Sequence, residues 1–191
     1  MSQKNKIDWL SSYYSLYKKS IFDESNFNKI VDLAELWEKD CKQDKKKIIF
    51  AGNGGSAAMA SHCAVDFTKN AKIRAINFNE SDLITCLSND YGYENWVSSA
   101  LDMYADDGDH VVLISSSGNS KNMINAAKLA KKRGLYLTTF TGFSEENSLK
   151  KEGNSNFWVN SKAYNIVEMT HHIWILSICD LLIGDAFYSA N

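Results

Sequence analysis

The chain has 191 residues, of which 45% are hydrophobic and 23% charged, with a formal net charge of −2 at pH 7. This length and composition predict a single domain over residues 1–191, and the near-neutral charge argues against a nucleic-acid or membrane partner. The four cysteines lie far apart without a CxxC motif, and no signal peptide or apolar run near 18 residues is evident. We therefore expect a cytoplasmic protein.

Residues 1–45 predict two helices with no strand between them. In the first helix, the apolar and aromatic residues that recur at helical spacing are Ile7, Leu10, Tyr13, Tyr14 and Tyr17. A second series runs from Phe27 to Trp37, and Asp23 to Ser25 offer an N-cap between the two. Two aromatic-rich helices ahead of an α/β core need a surface to cover, so we expect packing, including packing on another subunit, rather than ligand binding.

From residue 47 onward, strand and helix patterns alternate. The predicted strands are residues 48–51, 73–78, 109–115, 135–141 and 157–159. The predicted helices are residues 56–69, 94–104, 120–133 and 165–183, and residues 82–93 are predicted as helix or loop. This order predicts an α/β fold, a doubly wound parallel five-stranded sheet flanked by helices. The last helix is expected to be amphipathic.

The first strand ends in a glycine-rich turn, Gly52-Asn53-Gly54-Gly55, which opens a helix at Ser56. Backbone N–H groups and the Ser56 hydroxyl at a helix start favour an anion, and phosphate is the expected ligand. The alternative is a tight turn that needs glycine only for its φ angles.

The third strand ends in a similar turn of small residues. Around Gly118 lie four hydroxyl groups, those of Ser115, Ser116, Ser117 and Ser120. Ser120 stands at an N-cap position, so capping alone is one explanation. Two such turns at the carboxyl ends of parallel strands nevertheless predict one shared ligand crevice. Neither turn fits a nucleotide-binding fingerprint, so the sequence favours a nucleotide less than another phosphate-containing ligand.

Two histidine–carboxylate pairs stand at helical i,i+4 spacing. His62 and Asp66 share one face of the first crossover helix, and Glu168 and His172 share a face of the last helix, with His171 adjacent. Such pairs supply either a metal site or an acid–base pair. Ordinary helix-surface polarity is the alternative.

Three motifs together resemble the sugar isomerase (SIS) domain family, specifically its phosphoheptose isomerase branch. They are Gly52-Asn53-Gly54-Gly55-Ser56-Ala57-Ala58, Asn89-Asp90-Tyr91-Gly92-Tyr93 and Ile114-Ser115-Ser116-Ser117-Gly118-Asn119-Ser120. The resemblance implies an enzyme that makes D-glycero-D-manno-heptose 7-phosphate from sedoheptulose 7-phosphate, for lipopolysaccharide or capsule. It also implies a homotetramer with active sites between subunits, in which residues 1–45 serve oligomer packing.

The resemblance also assigns the binding residues. Ser56, Ser115, Ser117 and Ser120 would hold the phosphate, with Gly54 and Ser116 in the same turns. Asn53 and Asp90 would lie along the sugar chain.

The resemblance implies zinc but departs from the family pattern at the metal-binding positions. The family carries His at the position of His62 and, at that of Asp66, a Glu that is proposed as the catalytic base. In the last helix it carries Gln at the position of Glu168 and His at that of Leu176, and leucine cannot bind metal. Because His172 lies one turn before Leu176, we hypothesise a rearranged Zn²⁺ site of His62, Asp66, Glu168 and His172. Asp66, Glu168 and His172 are the candidate catalytic residues.

Three alternatives stay open. The chain could be a non-catalytic SIS-domain protein that senses a phosphosugar or binds the bacterial replication initiator. It could be an isomerase for a different sugar phosphate. The weakest alternative is a nucleotide-binding α/β protein, which only the generic fold supports.

Overall fold

The computed structural model describes residues 2–189. The α-helices are α1 (Gln3–Ile21), α2 (Phe27–Trp37), α3 (Gly55–Lys69), α4 (Ser81–Tyr91), α5 (Trp96–Tyr104), α6 (Lys121–Lys132) and α7 (Tyr164–Ile183). The strands are β1 (Ile48–Gly52), β2 (Ala75–Asn77), β3 (His110–Ser115), β4 (Tyr136–Thr141) and β5 (Ser155–Trp158). A 3₁₀ turn, Glu24–Asn26, precedes α2, and a π-helical turn, Glu38–Gln43, continues it.

The strands form one sheet in the order β2-β1-β3-β4-β5, and every neighbouring pair is parallel. The predicted fold class is therefore confirmed. From β1 the chain continues to β2 at one edge of the sheet, whereas from β3 it continues through β4 to β5 at the other edge. The direction therefore reverses between β1 and β3, and ligand crevices of parallel sheets lie at such a reversal. β2 is shorter than the predicted strand at residues 73–78, and the stretch predicted as helix or loop contains the helix α4.

Side chains alternate across β1 and build one core on each face of the sheet. Ile48 and Phe50 belong to a core that includes side chains from α2, α3 and α7. Ile49 and Ala51 belong to a second core with side chains from α5 and α6. Burial on both faces explains why the strand sequence is a continuous apolar run.

Helix α7 differs from the amphipathic helix that was expected. Its buried residues, at helical spacing, are Ile166, Val167, Thr170, His171, Trp174, Ile175, Ile178, Cys179 and Leu182. Its outward stripe, however, includes Met169, Ile173 and Leu181, which are 40–50% exposed. By length and composition alone this helix could cross a membrane, so the expectation that no apolar run reaches that length is wrong. The burial of nine of its side chains is that of a core helix.

Helix α1 lies on the surface and buries none of its described side chains. Two hydrogen bonds join it to α7: Tyr17 donates its hydroxyl to the carbonyl of Asn165 at 3.3 Å, and Trp174 Nε1 donates to the carbonyl of Ile21 at 3.2 Å. Its large exposed apolar residues are Ile7, Trp9, Leu10, Tyr14 and Leu16. An apolar surface of this kind is typical of an interaction site.

Two hydrogen bonds join α2 and the π-helical turn after it to His110, the first residue of β3. Trp37 Nε1 donates to His110 Nδ1 at 3.2 Å, so that ring nitrogen carries no proton. The other ring nitrogen, Nε2, therefore donates to Asp40 Oδ2 at 3.0 Å. Burial lowers the pKa of His110, although Asp40 opposes the shift.

The neutral state of His110 predicts acid sensitivity of the fold. The unfolded chain binds a proton near pH 6.5 that the folded state resists, so the free energy of unfolding falls as pH decreases below that value. Denaturant unfolding followed by tryptophan fluorescence between pH 7.5 and 5, roughly one unit either side of the unfolded pKa, measures it. In His110→Gln the slope below pH 6.5 should shrink by up to one proton. An unchanged slope would exclude His110 as the source.

Candidate active site

A cavity of about 210 Å³ opens at the carboxyl ends of β1 and β3. Its lining residues are Asn53, Ser56, Ile114, Ser115, Ser116, Ser117, Ser120, Tyr164 and Glu168. They come from the turn after β1 and the start of α3, from the end of β3 and the turn after it, and from the first turns of α7. The structure thus brings both glycine-rich turns to one cavity, at the reversal point of the sheet.

The turn after β1 is tight because glycine permits a close approach. A Cβ atom on Gly52 would lie 2.7 Å from the backbone of Ser56, which is nearer than real Cβ atoms come. Gly54 has a φ of +55°, a conformation that side chains disfavour. The backbone N–H of Ser56 donates to the carbonyl of Asn53 at 3.0 Å, which places the Ser56 side chain at the start of α3.

A backbone hydrogen bond and a packed side chain stabilise the turn after β3. Gly118, with a φ of +62°, donates its backbone N–H to the carbonyl of Ser115 at 3.0 Å. The side chain of Asn147 packs directly against it, since a Cβ on Gly118 would lie 2.0 Å from Asn147 Oδ1. Ser116 Oγ is buried and has no hydrogen-bond partner among the described residues. The Ser120 side chain makes no capping hydrogen bond at the start of α6. The capping explanation for Ser120 is thus not supported.

Glu168 brings a carboxylate from α7 into the same cavity. It packs against Gly55, where a Cβ would lie 2.4 Å from Glu168 Oε2, so glycine makes room for the carboxylate. Gly55 is the first residue of α3, and a helix N-terminus favours a negative charge. The arrangement combines hydroxyl donors, helix starts and one carboxylate.

His62, Asp66 and His172 form a separate group that does not line this cavity. His62 Nε2 lies 3.3 Å from Asp66 Oδ2, and the rings of His62 and His172 meet edge to face with centroids 4.8 Å apart. His62 lies two turns beyond Gly55, about 10 Å along α3. Burial, and secondarily the neighbouring His62, lowers the pKa of His172, whose Nε2 has no hydrogen-bond partner among the described residues.

The four-residue metal site is not assembled in this chain. Within residues 2–189, no group of three or more His, Cys, Asp or Glu side chains is arranged to hold a metal ion. Glu168 lies with the serine turns, whereas the other three side chains lie along α3 and α7. Leu176, where the resemblance implies a histidine in the family, packs against the hydrophobic core. As they are arranged, these residues do not fit zinc.

Two of the predicted substrate-binding residues, Asp90 and Gly54, lie outside the cavity lining. Asp90, at the end of α4, is exposed and accepts a hydrogen bond from Asn89 Nδ2 at 2.9 Å. Gly54 is exposed as well. Tyr93, from the same motif as Asp90, does reach the cavity edge, because its hydroxyl lies 3.3 Å from Asn53 Oδ1.

Asn122, in the first turn of α6, was not among the predicted site residues. This side chain is 2% exposed and exchanges two hydrogen bonds with Asn53. The available signal was its position two residues after Ser120, where a polar side chain at a helix start faces the preceding turn. Its partner is 69 residues away, so spacing could not reveal the pair.

Comparisons with known proteins identify the family. A model of the SIS domain matches residues 12–142. The phosphoheptose isomerase of Thermodesulfovibrio yellowstonii is 34% identical over 174 residues, 88% of this chain and 86% of that protein. That of Sulfurimonas denitrificans is 33% identical over 177 residues, 89% of this chain and 90% of that protein.

Solved structures show the same fold. The phosphoheptose isomerase from Neisseria gonorrhoeae superposes with a TM-score of 0.84 at 26% identity, covering 96% of this chain and all of that one. The Vibrio vulnificus NanR protein complexed with ManNAc-6P shares the fold alone, with a TM-score of 0.68 at 16% identity over 92% of this chain and 62% of that one. Given the family model and relatives above 30% identity along most of its length, the chain belongs to the SIS domain family, in its phosphoheptose isomerase branch.

Proposed function

We propose that this chain is an aldose–ketose isomerase that converts sedoheptulose 7-phosphate into D-glycero-D-manno-heptose 7-phosphate. The cavity, in which five serines at or just before the starts of α3 and α6 lie beside one carboxylate, carries the proposal. The names of its relatives, phosphoheptose isomerases, supply the substrate.

The phosphate binds against the turn after β3. Ser115, Ser116, Ser117 and Ser120 donate hydroxyl hydrogen bonds there, and Ser56 adds one from the start of α3. The N-termini of α3 and α6 stabilise the negative charge. Glu168 repels a phosphate, so the phosphate lies nearest the serines and the uncharged end of the sugar nearest Glu168.

The reaction needs a base, a path for the hydroxyl proton and stabilisation of an oxyanion. The base takes a proton from C1 of the ketose, and the electron pair forms the C1–C2 double bond of an enediolate. A proton then adds to C2 while the O1 proton passes to O2, which gives the aldose. We assign the base to Glu168, the carboxylate that lines the cavity. Asp66 and His172 are the second candidates.

The surface of the chain supports an oligomer. The exposed apolar side chains of α1 and the outward stripe of α7 lie on helices that contact one another. We propose that they pack in a homotetramer, in which residues 1–45 serve assembly and exposed Asp90 completes the site of a neighbour. A cytoplasmic location belongs to the same proposal.

Incubation with sedoheptulose 7-phosphate in deuterated water, followed by NMR, tests the function. We expect the aldose to appear with deuterium at C2. Saturable binding without product or exchange would overturn the isomerase and favour a phosphosugar sensor. Exchange with another ketose phosphate alone would correct the substrate.

A further inference from the structure

Asn53 and Asn122 clamp the two turns of the cavity together. Asn53 Nδ2 donates to Asn122 Oδ1 at 3.0 Å, and Asn122 Nδ2 donates to Asn53 Oδ1 at 2.8 Å. Asn53 lines the cavity, whereas Asn122 is buried behind it. The pair therefore joins the turn after β1 to the first turn of α6.

A backbone group fixes the orientation of both amides. An amide pair alone could flip both members together and keep its two hydrogen bonds. The N–H of Met123, however, donates to Asn122 Oδ1 at 3.1 Å, and in the first turn of a helix this N–H has no intrahelical partner. Because an N–H cannot face an NH₂ group, Asn122 keeps its oxygen there. Asn53 must then turn its nitrogen to that oxygen.

Most of the hydrogen-bond capacity of the Asn53 amide is used within the protein. Its carbonyl oxygen has two acceptor sites, and Asn122 Nδ2 and the Tyr93 hydroxyl occupy both. Its nitrogen has two hydrogens, of which one is donated to Asn122. What remains is a single N–H donor on a residue of the cavity wall.

We propose that Asn122 and Tyr93 are positioning residues that hold the Asn53 amide so that its free N–H donates to the substrate oxygen that becomes negatively charged in the enediolate. This inference rests on the proposed function. A fixed donor stabilises developing charge without reorganising during the reaction, whereas an amide free to flip would present its oxygen and repel that charge.

A double-mutant cycle with Asn122→Asp and Asn53→Ala tests the positioning role. Aspartate keeps the size of Asn122 but replaces the N–H that meets Asn53 Oδ1 with an oxygen. In the otherwise unchanged protein, we expect Asn122→Asp to lower kcat by about 30-fold and to change KM by less than about threefold. In the Asn53→Ala background, the same change should lower kcat by less than about threefold. Tyr93→Phe, at an exposed position, should lower kcat by about three- to fivefold.

Asn125→Asp is the matched control. It makes the same chemical change three residues later in α6, where the Nδ2 atom donates to Glu94 and Asn95 instead. Thermal unfolding of each variant accompanies the kinetics. The control should keep kcat even where its stability falls.

The outcomes separate the inference from the proposed function. Equal, additive losses in both backgrounds would overturn the positioning role. If the protein binds sedoheptulose 7-phosphate without isomerising it, the proposed function fails. The same double-mutant cycle is then measured as the Kd for sedoheptulose 7-phosphate by calorimetry. Losses of affinity that are coupled between the two sites would support the positioning role, and additive losses would overturn it. Absence of binding would overturn both.

Discussion

Replacing Glu168 with glutamine should lower kcat for isomerisation by about 10²- to 10⁴-fold, the usual contribution of a general base. Glutamine keeps the size of the side chain that packs against Gly55 but cannot accept the C1 proton. The affinity for inorganic phosphate should be kept or increased, because a negative charge leaves the cavity. NMR exchange kinetics and phosphate calorimetry measure the two effects.

The same substitution separates two positions for the base. The resemblance implies a glutamine at this position in the family, so an enzyme whose base is Asp66 would tolerate Glu168→Gln. Asp66→Asn and His172→Ala are the companion variants. Full turnover in Glu168→Gln, together with loss in Asp66→Asn, would place the base on α3. Intact turnover in His172→Ala would exclude His172 as a catalytic residue.

Gly118→Ala should damage both the fold and the phosphate site. The new Cβ would lie 2.0 Å from Asn147 Oδ1 in a buried side chain, and Gly118 has a φ of +62°. We expect a loss of about 2–4 kcal/mol in the free energy of unfolding, from steric overlap added to left-handed backbone strain. The affinity for phosphate should fall at least about tenfold as the serine hydroxyls shift.

Gly134→Ala is the matched control for this prediction. Gly134 also has a positive φ, +68°, but a Cβ there meets no atom within 4 Å. This variant should lose only about 1–2 kcal/mol and bind phosphate normally. Equal losses in the two variants, or normal phosphate binding by Gly118→Ala, would show that Asn147 does not hold the turn.

Local pattern was sufficient for the architecture. Alternation of apolar strands with helices is a property of neighbouring residues, and parallel strands leave few topologies once crossovers are right-handed. The two small-residue turns were visible for the same reason, because glycine and serine act through the backbone beside them. Some bounds moved, as at β2, where Ile73 and Phe78 are buried but lie outside the strand, and α7 is more apolar on its outer face than expected.

The pairing of distant side chains was decided by the tertiary structure. Spacing placed Glu168 and His172 on one helix face, but one turn of α7 separates their surroundings: Glu168 meets Gly55 in the cavity, whereas His172 meets His62. Asn122 looked like an ordinary helix residue until the fold placed it against Asn53.

The sequence by itself therefore determined the sheet, the two small-residue turns that line the cavity and the family to which they belong, since each is encoded in contiguous residues. Which polar groups share a cavity depends on contacts between elements far apart in the chain. Helix packing, which follows from shape and burial across the whole core, decides those contacts.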